Sequence, residues 1–355
     1  MSLTSNDTII VRAGEELNKV NLAKYIQENI AEAPTGLLEI EQFSAGHSNL
    51  TYLLRIGSWE AVLRRPPIGP VAANAHNMER EYKILSSLHP IYPTAPKPFI
   101  FCQDPSIIGS LFFIMERRTG IVFDTKIPDG IVYNKEVGQK ISELMVDKLV
   151  QLHSIDYTKT DLIHLAKPEG FMERQVLGWI KRYEHSKTEE VPGINVLMKW
   201  LTENIPISLE PTIIHYDYKL NNAMFSADFN KMIGLFDWEM TTVGDPLADL
   251  GAAMSYWIEA DDSDLLKSAL GTPPITIMEG FFTREQFIEK YATKSGRDVS
   301  NIHYYETFAY FKLAVICQQI YSRFVKGQTQ DQRFGHFNQF VCKLIKYARN
   351  TAKGL

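Results

Sequence analysis

The sequence has few of the features that mark secreted, zinc-binding or membrane-spanning proteins. Its 355 residues include three cysteines, Cys102, Cys317 and Cys342, which are scattered and show no Cys-x-x-Cys spacing. A disulfide framework or a zinc site is therefore not expected. No apolar run approaches the roughly 18 residues that span a bilayer, and the N-terminus lacks a charged region followed by an apolar core. We expect a cytoplasmic protein that does not contact a membrane.

An excess of positive charge is also missing. The formal net charge is −5, so the chain has no basic field that would gather nucleic acid. The P-loop pattern G-x-x-x-x-G-K-[ST] does not occur, which excludes a nucleotide hydrolase of that kind. Hydrophobic residues make up 45% of the chain and charged residues 22%, which is typical of a soluble globular protein long enough for two lobes.

Two short apolar runs at residues 212–214 and 232–236 each open into polar residues that a protein core would exclude. The first run leads into HYDYKLNN at residues 215–222, and the second into DWE at residues 237–239. The spacing H-x-D-x-x-x-x-N, followed by an Asp after a strand, supplies the groups that phosphoryl transfer to a hydroxyl requires. One carboxylate orients the hydroxyl, while an amide oxygen and a second carboxylate hold metal on the nucleotide phosphates. The pattern therefore predicts a phosphotransferase.

Each residue of this pattern has a predicted role. Asp217 is the predicted base that orients the acceptor hydroxyl, and Lys219, two residues later, is placed to reach the γ-phosphate. Asn222 and Asp237 are the predicted metal ligands, and a further contact from Glu239 stays open. The predicted cofactors are ATP and Mg²⁺.

These motifs resemble a known superfamily. Residues 215–222 are similar to the H-G-D-x-x-x-x-N motif of the aminoglycoside phosphotransferase and choline kinase superfamily. The stretch DWE…GDPLADL at residues 237–250 resembles the branch found as a kinase-like domain fused to acyl-CoA dehydrogenases. The resemblance runs over nearly the whole chain and implies an α+β, bilobal, protein-kinase-like fold. A small antiparallel-sheet lobe is expected at residues 1–117 and a large, mainly helical lobe at residues 118–355.

Two positions depart from the family pattern. Tyr216 stands where glycine is usual, and Lys219 stands where this branch usually has arginine. The lysine keeps the positive charge, so neither departure removes a catalytic group.

A strand meander is predicted near the start of the chain. Residues 37–66 alternate as three strands, with a hairpin loop that contains Gly46, Ser48 and Asn49. Kinase-like folds lay backbone N–H groups over nucleotide phosphates at this loop, and glycine permits the close approach. A β-turn without a ligand explains the same residues, so only their place before the next features favours a phosphate role.

The third strand carries a predicted phosphate-binding arginine. Arg64 stands where kinases carry a lysine that contacts phosphates and pairs with a helix glutamate. Arg65 is the alternative, although strand alternation points it to the other face. The helix predicted at residues 77–88 offers Glu81 as the partner of Arg64, with Glu79 as the second choice.

The residues that follow connect to a mainly helical region. Met115, Glu116 and Arg117 resemble the hinge segment whose backbone contacts a purine edge. Within the helical region, His153 is predicted to be a buried structural histidine, and Asp249 to brace backbone N–H groups of the catalytic loop. Helical spacing and capping signals predict helices at residues 17–30, 77–88, 137–153, 171–183, 196–201, 246–258, 283–291, 300–324 and 334–347. Asp245 is the expected cap of the helix at 246–258, and Thr283 with Gln286 has the spacing of a capping box at the start of the helix at 283–291.

The acceptor is predicted to be a small-molecule hydroxyl, but its identity stays open. The resemblance offers aminoglycosides, choline-like alcohols, sugars and, through the branch fused to acyl-CoA dehydrogenases, a hydroxyacyl-CoA or a related hydroxy acid. A polycationic antibiotic would need an acidic groove, and the acidic cluster at Glu259, Asp261, Asp262 and Asp264 is explained equally by a solvated helix end. We prefer the metabolic hydroxyl. A loop at residues 271–282 is the predicted cover of the acceptor site.

One alternative belongs to another functional class. A nucleotide-binding pseudokinase would keep the fold and transfer nothing, and the arginine at position 64 is the feature that favours it. The presence of Asp217, Asn222 and Asp237 argues against it. The protein is expected to be a monomer or a homodimer.

Overall fold

The structure is a computed structural model that describes residues 7–44, 49–69, 77–268 and 274–355. The chain divides into two compact units. Unit 1 contains Met1–Val122, Pro128–Ile131 and Asn222–Glu239, and unit 2 contains Phe123–Ile127, Val132–Asn221 and Met240–Leu355. The division at residue 117 expected from the sequence stays a prediction.

Unit 1 consists of antiparallel sheets and two helices. Within the described residues, its strands are β1 (Thr8–Ile9), β2 (Glu39–Phe43), β3 (Leu50–Ile56), β4 (Trp59–Arg65), β5 (Pro98–Cys102), β6 (Phe112–Glu116), β7 (Ile121–Val122), β9 (Ala223–Phe225) and β10 (Met232–Leu235), and its helices are α1 (Lys19–Asn29) and α2 (Met78–Leu88). Six of these strands form the larger sheet, in the order β1-β2-β3-β4-β6-β5, and three form the smaller sheet, in the order β10-β9-β7.

The core of unit 1 lies between α1 and one face of the larger sheet. Leu22 and Ile26 of α1 pack with alternate residues of the strands, including Leu54 of β3 and Leu63 of β4. Because side chains alternate across a strand, Arg64 projects from the opposite face of β4. The same alternation that buries Leu63 therefore sets the direction of Arg64.

Unit 2 is mainly helical. Its described elements are α3 (Lys135–His153), α4 (Phe171–Ser186), α5 (Ile194–Glu203), β8 (Thr212–Ile214), β11 (Thr242–Gly244), α6 (Pro246–Tyr256), α7 (Asp264–Ser268), α8 (Arg284–Ser295), α9 (Ile302–Val325) and α10 (Phe337–Thr351). The long helix α9 packs against α4, α6 and α10, and a two-stranded sheet joins β8 to β11. In the part of the chain that the structure describes, no helix is both long and apolar enough to cross a membrane.

The α+β class expected from the sequence is confirmed, and so are two of the helix starts. Asp245 caps α6 because its side chain accepts the backbone N–H of Leu247 at 2.9 Å. Thr283 and Gln286 form the predicted capping box of α8. The predicted covering loop at residues 271–282 begins outside the described residues, and its described part contains a short 3-10 helix, Ile275–Ile277.

Candidate active site

A single buried carboxylate holds the loop that follows β8. Asp249 of α6 is fully buried and accepts the backbone N–H groups of His215 at 2.7 Å and Tyr216 at 2.8 Å. Its Oδ2 also lies 3.1 Å from Nε2 of His153, whose other ring nitrogen contacts the Tyr291 hydroxyl at 2.7 Å. Burial opposes the charge of Asp249, but the hydrogen bonds outweigh it and lower its pKa. The structural contacts predicted for Asp249 and His153 are confirmed.

Tyr216 adopts a backbone conformation that explains why glycine is usual at its position. Its φ is 65°, in the left-handed region that side-chain-bearing residues rarely occupy and glycine adopts freely. The ring is buried and packs on Phe171, and Nζ of Lys312 lies 3.6 Å from the ring centroid. These contacts, with the hydrogen bond to Asp249, hold the strained residue in place.

The predicted base and the predicted cation lie side by side in unit 2. Oδ2 of Asp217 is 3.0 Å from Nζ of Lys219, and their side chains are 16% and 27% exposed, so both can be reached by a small molecule. Asp217 also accepts a hydrogen bond from the Tyr256 hydroxyl, and Nζ of Lys219 lies 5.2 Å from the centroid of the Tyr256 ring. Burial, and then the charge of Asp217, raise the pKa of Tyr256 well above its usual range, so the hydroxyl stays a donor.

The predicted metal ligands meet in unit 1 through a hairpin. Strand β9 begins directly after Asn222 and pairs antiparallel with β10, which places Ala223 opposite Leu235. The Phe236 N–H donates to the Asn222 carbonyl at 2.9 Å, so Asn222 and Asp237 flank the same end of the hairpin. Asp237 has a φ of 65°, and its side chain is 26% exposed.

Asn222 and Asp237 suit Mg²⁺ that is shared with a bound nucleotide better than they suit a metal ion held only by protein ligands. Carboxylate and amide oxygens suit Mg²⁺, which is usually bound by one or two protein groups together with substrate phosphates. The described residues contain no group of three or more His, Cys, Asp or Glu side chains that could hold a metal ion.

Arg64 joins the hairpin of the predicted metal ligands to helix α2. Its Nη1 lies 3.0 Å from Oε1 of Glu81, and its Nη2 lies 3.2 Å from Oδ1 of Asp237. The side chains of Arg64 and Glu81 are 9% and 1% exposed. Burial raises the pKa of Glu81 to about 7, with a further contribution from the negative charge of Asp237 and against the attraction of Arg64. The Arg64 Nε has no hydrogen-bond partner within the described residues, so the guanidinium retains a donor.

Arg65 and Glu79, the alternatives to Arg64 and Glu81, make other contacts. Arg65 donates from Nη1 to the Ile108 carbonyl at 3.2 Å, and Glu79 pairs with Lys83 on the more exposed side of α2 at 2.8 Å. The predicted contact between Arg64 and Glu81 is thus present, and the role of both in nucleotide binding stays a prediction.

Comparisons with known proteins identify the family. A model described as "Phosphotransferase enzyme family" matches residues 39–272. The chain belongs to this family. It is 30% identical, over 97% of its length, to acyl-CoA dehydrogenase family member 11 of Gallus gallus, and it covers 45% of that protein. Among the curated relatives it matches, the chain spans 30% to 45% of the full length.

Solved structures show the same fold. A Ralstonia eutropha protein described as a candidate aminoglycoside phosphotransferase is 27% identical with a TM-score of 0.80, and the match covers 95% of this chain and 99% of that one. A thermostable variant of aminoglycoside phosphotransferase APH(4)-Ia, in complex with AMP-PNP and hygromycin B, is 12% identical with a TM-score of 0.57, and the match covers 94% and 100% of the two chains. The protein-kinase-like fold and the superfamily expected from the sequence are confirmed.

The predicted phosphate loop of this phosphotransferase is described only in part. Gly46 and Ser48 lie outside the described residues. Asn49 is 3% exposed, and its Nδ2 donates to Oε2 of Glu239 at 3.0 Å. The backbone carbonyl of Glu239 accepts a hydrogen bond from Arg80 at 2.7 Å. Asn49 therefore holds Glu239, a contact that the sequence did not predict.

The side chains of the predicted hinge are engaged within unit 1. Met115 is 5% exposed in β6, and Glu116 accepts the backbone N–H of Lys97 at 2.6 Å. Arg117 forms an ion pair with Asp7 at 2.5 Å. The predicted contact of this segment with a purine involves its backbone groups rather than these side chains. That contact stays a prediction.

The acidic cluster near α7 is partly neutralised inside the protein. Arg284 Nη2 lies 2.7 Å from carboxylate oxygens of both Glu259 and Asp262, and the Asp262 side chain is 4% exposed. The prediction that a solvated helix end explains the whole cluster is therefore wrong for these two residues. Their charge is committed to Arg284, which begins α8 more than 20 residues later in the chain. Sequence reasoning missed both this pairing and the contact of Tyr256 with Asp217.

Proposed function

We propose that this phosphotransferase is an ATP-dependent small-molecule kinase that moves the γ-phosphate of MgATP to a hydroxyl group. The observation that carries this proposal is the buried Arg64, which contacts Glu81 and Asp237 at once. A phosphate-binding cation thereby lies beside a carboxylate that suits metal binding, as phosphoryl transfer requires. AMP-PNP bound to APH(4)-Ia, which shares the fold, supports ATP as the donor.

Each residue of the candidate site has its own proposed role. Asp217 accepts the hydrogen bond of the acceptor hydroxyl, and the Tyr256 hydroxyl fixes the direction of that carboxylate. Lys219 places positive charge where negative charge develops on the transferring phosphoryl group. Mg²⁺ would be held by Asn222 and Asp237 and would neutralise charge on the nucleotide phosphates.

The surroundings of Asp217 favour an acceptor that is not polycationic. Lys312 is 6% exposed, and its charge interacts with that of Asp217 and with the positive charges of Arg182 and Lys219. A polycationic antibiotic would meet this positive charge, whereas two carboxylates of the acidic cluster are taken up by Arg284. We therefore propose a metabolic hydroxyl, such as a hydroxyacyl-CoA or a related hydroxy acid. The similarity to acyl-CoA dehydrogenase family member 11 supports this choice.

The test is a screen of alcohol acceptors for ADP release from MgATP, with mass spectrometry of the products. Hydroxy acids, their CoA thioesters, choline and aminoglycosides form the panel, and Asp237→Asn is the matched inactive variant. The proposal predicts a phosphorylated hydroxy-acid product that Asp237→Asn does not form. MgATP binding without transfer to any member of the panel would favour the nucleotide-binding pseudokinase.

A further inference from the structure

A cavity of about 670 Å³ lies between α4 and α9 in unit 2. Four of its nine lining residues are cations, namely Lys181 and Arg182 of α4, Arg323 of α9, and Lys326, the C-cap residue of α9. None of the described residues that line it is a carboxylate, although α4 also carries Glu184. The whole chain has a net charge of −5, so this concentration of positive charge is local rather than a general property of the surface.

The cavity also contains polar groups that are ready to bind a ligand. Ser322 is 3% exposed, and its Oγ has no hydrogen-bond partner within the described residues. Burying a hydroxyl without a hydrogen-bond partner costs free energy. A ligand bound in the cavity would supply the partner that the Ser322 hydroxyl lacks. The guanidinium of Arg182 packs over the Trp179 ring, with Cζ 4.4 Å from the ring centroid. A planar guanidinium suits bidentate contact with a phosphate.

The helices that form the cavity also contact the catalytic loop. Gln175 of α4 contacts the Tyr216 hydroxyl at 3.4 Å, and Lys312 of α9 lies against the Tyr216 ring. Gly178 and Gln319, which line the cavity, follow these two residues by one and two turns. At 1.5 Å per residue these steps are roughly 5 Å and 10 Å along the helices. The cavity therefore begins one turn along α4 and two turns along α9 from the residues that contact Tyr216, which precedes Asp217.

We propose that this cavity is a binding site for a phosphate-bearing small molecule. Its lining residues include none of those assigned above to the nucleotide, the metal or the base. The phosphate group would lie among Arg182, Arg323 and Lys326, with the Ser322 hydroxyl as an additional donor. The chemistry is the same whether the phosphate belongs to the distal end of the acceptor or to a separate ligand.

Binding of pyrophosphate, measured by calorimetry at low salt with EDTA, tests the proposal without any turnover. Arg323→Gln with Lys326→Gln removes two exposed cations. Gly178→Leu keeps every cation and fills the cavity; a Cβ at this position meets only Nη1 of Arg182, at 3.8 Å, and leucine favours the helix. The control is Lys343→Gln with Lys346→Gln, which removes two exposed charges from α10.

The wild type and the control should bind pyrophosphate equally, and both cavity variants should bind it at least about tenfold more weakly. Equal affinity in all four proteins would place the ion elsewhere and overturn the proposal, as would the absence of binding to the wild type. Because neither nucleotide nor acceptor is present, this result is independent of whether the kinase function proposed above is correct.

A second measurement identifies the source of the phosphate and rests on the proposed function. With an identified acceptor, Gly178→Leu should raise KM for the acceptor and leave KM for ATP unchanged if the phosphate belongs to the acceptor, and pyrophosphate should then compete with it. If the phosphate belongs to a separate ligand, KM for the acceptor should stay unchanged in this variant while pyrophosphate binding is still lost. Either pattern requires the cavity to bind phosphate.

Discussion

Asp249 Oδ1 accepts the backbone N–H of Tyr216 at 2.8 Å, and Tyr216 holds a left-handed φ of 65° in that contact. The residue after this strained position is Asp217, so the direction of the proposed base depends on a carboxylate in α6. The same carboxylate contacts His153 at the end of α3. The buried Asp249 carboxylate thus connects α3 and α6 to the loop that carries the proposed base.

Replacing Asp249 with Asn should destabilise unit 2 strongly. An amide has only one oxygen to accept the hydrogen bonds from His215, Tyr216 and His153, and its NH₂ group would face a donor. We expect Asp249→Asn to lower the free energy of unfolding by about 3 kcal/mol in urea titrations. Asp264→Asn, a change at an exposed carboxylate, should alter it by less than about 0.5 kcal/mol. Equal effects of the two changes would show that Asp249 does not hold the loop.

The left-handed backbone at Tyr216 can be measured separately from the loss of its ring. Tyr216→Gly and Tyr216→Ala both remove the ring and its contact with Lys312. At a positive φ, glycine should be the better residue, so the Gly variant should be about 1 kcal/mol more stable than the Ala variant. Thermal and urea unfolding of the two variants test this order. An Ala variant as stable as the Gly variant would mean that position 216 is not left-handed in solution.

The two neighbouring arginines of β4 should fail in different ways. Arg64→Met removes the contacts with Glu81 and Asp237, and we expect it to weaken MgATP binding about tenfold or more. Arg65→Met loses a hydrogen bond to the Ile108 carbonyl and should lower stability while MgATP affinity stays nearly unchanged. Calorimetry with MgATP and urea unfolding separate the two effects. The reverse pattern would mean that Arg65, and not Arg64, serves the nucleotide.

Lys312 should give stability a measurable dependence on pH. Burial lowers its pKa to about 8, although Asp217 and Asp249 favour its charge. Between pH 8 and about 10.5 the unfolded chain holds a proton that the folded protein lacks, so the contribution of Lys312 to stability rises with pH across that window. Lys312→Met removes the free-energy cost of burying a charged lysine below pH 8. The stability of the variant relative to the wild type should therefore be about 2 kcal/mol smaller at pH 10 than at pH 7. An unchanged difference would mean that the folded pKa of Lys312 is near normal.

Local sequence patterns were sufficient for most of the helices, although not for the short α7, and for the face of β4 on which Arg64 lies. Apolar spacing predicted α1 and α9, and the capping residues Asp245 and Thr283 marked where α6 and α8 begin. These features depend on neighbours within a few residues. Strand β9, Ala223–Phe225, was not predicted. Its pairing with β10, which brings Asn222 beside Asp237, becomes visible only when the hairpin folds.

The site was predictable where a motif names the residue and not where a contact joins distant segments. The sequence indicated Asp217, Lys219 and Asp237, but the conformation of Tyr216 had no signal beyond the missing glycine. Tyr256 ends an apolar helix and therefore reads as a core residue. The Asn49 contact with Glu239 joins positions 190 residues apart, and no local pattern marks such a pair.

The central claim is that Asp217 is the base of a phosphotransferase, and the most direct measurement is turnover of Asp217→Asn with an identified acceptor, beside calorimetry with MgATP. The amide keeps the shape of the side chain and removes the charge that accepts the hydroxyl proton. We expect turnover to fall by roughly 10²-fold or more, while MgATP affinity changes little. Near-full turnover in a variant that still binds MgATP would contradict the assignment of Asp217 and of the loop that carries it.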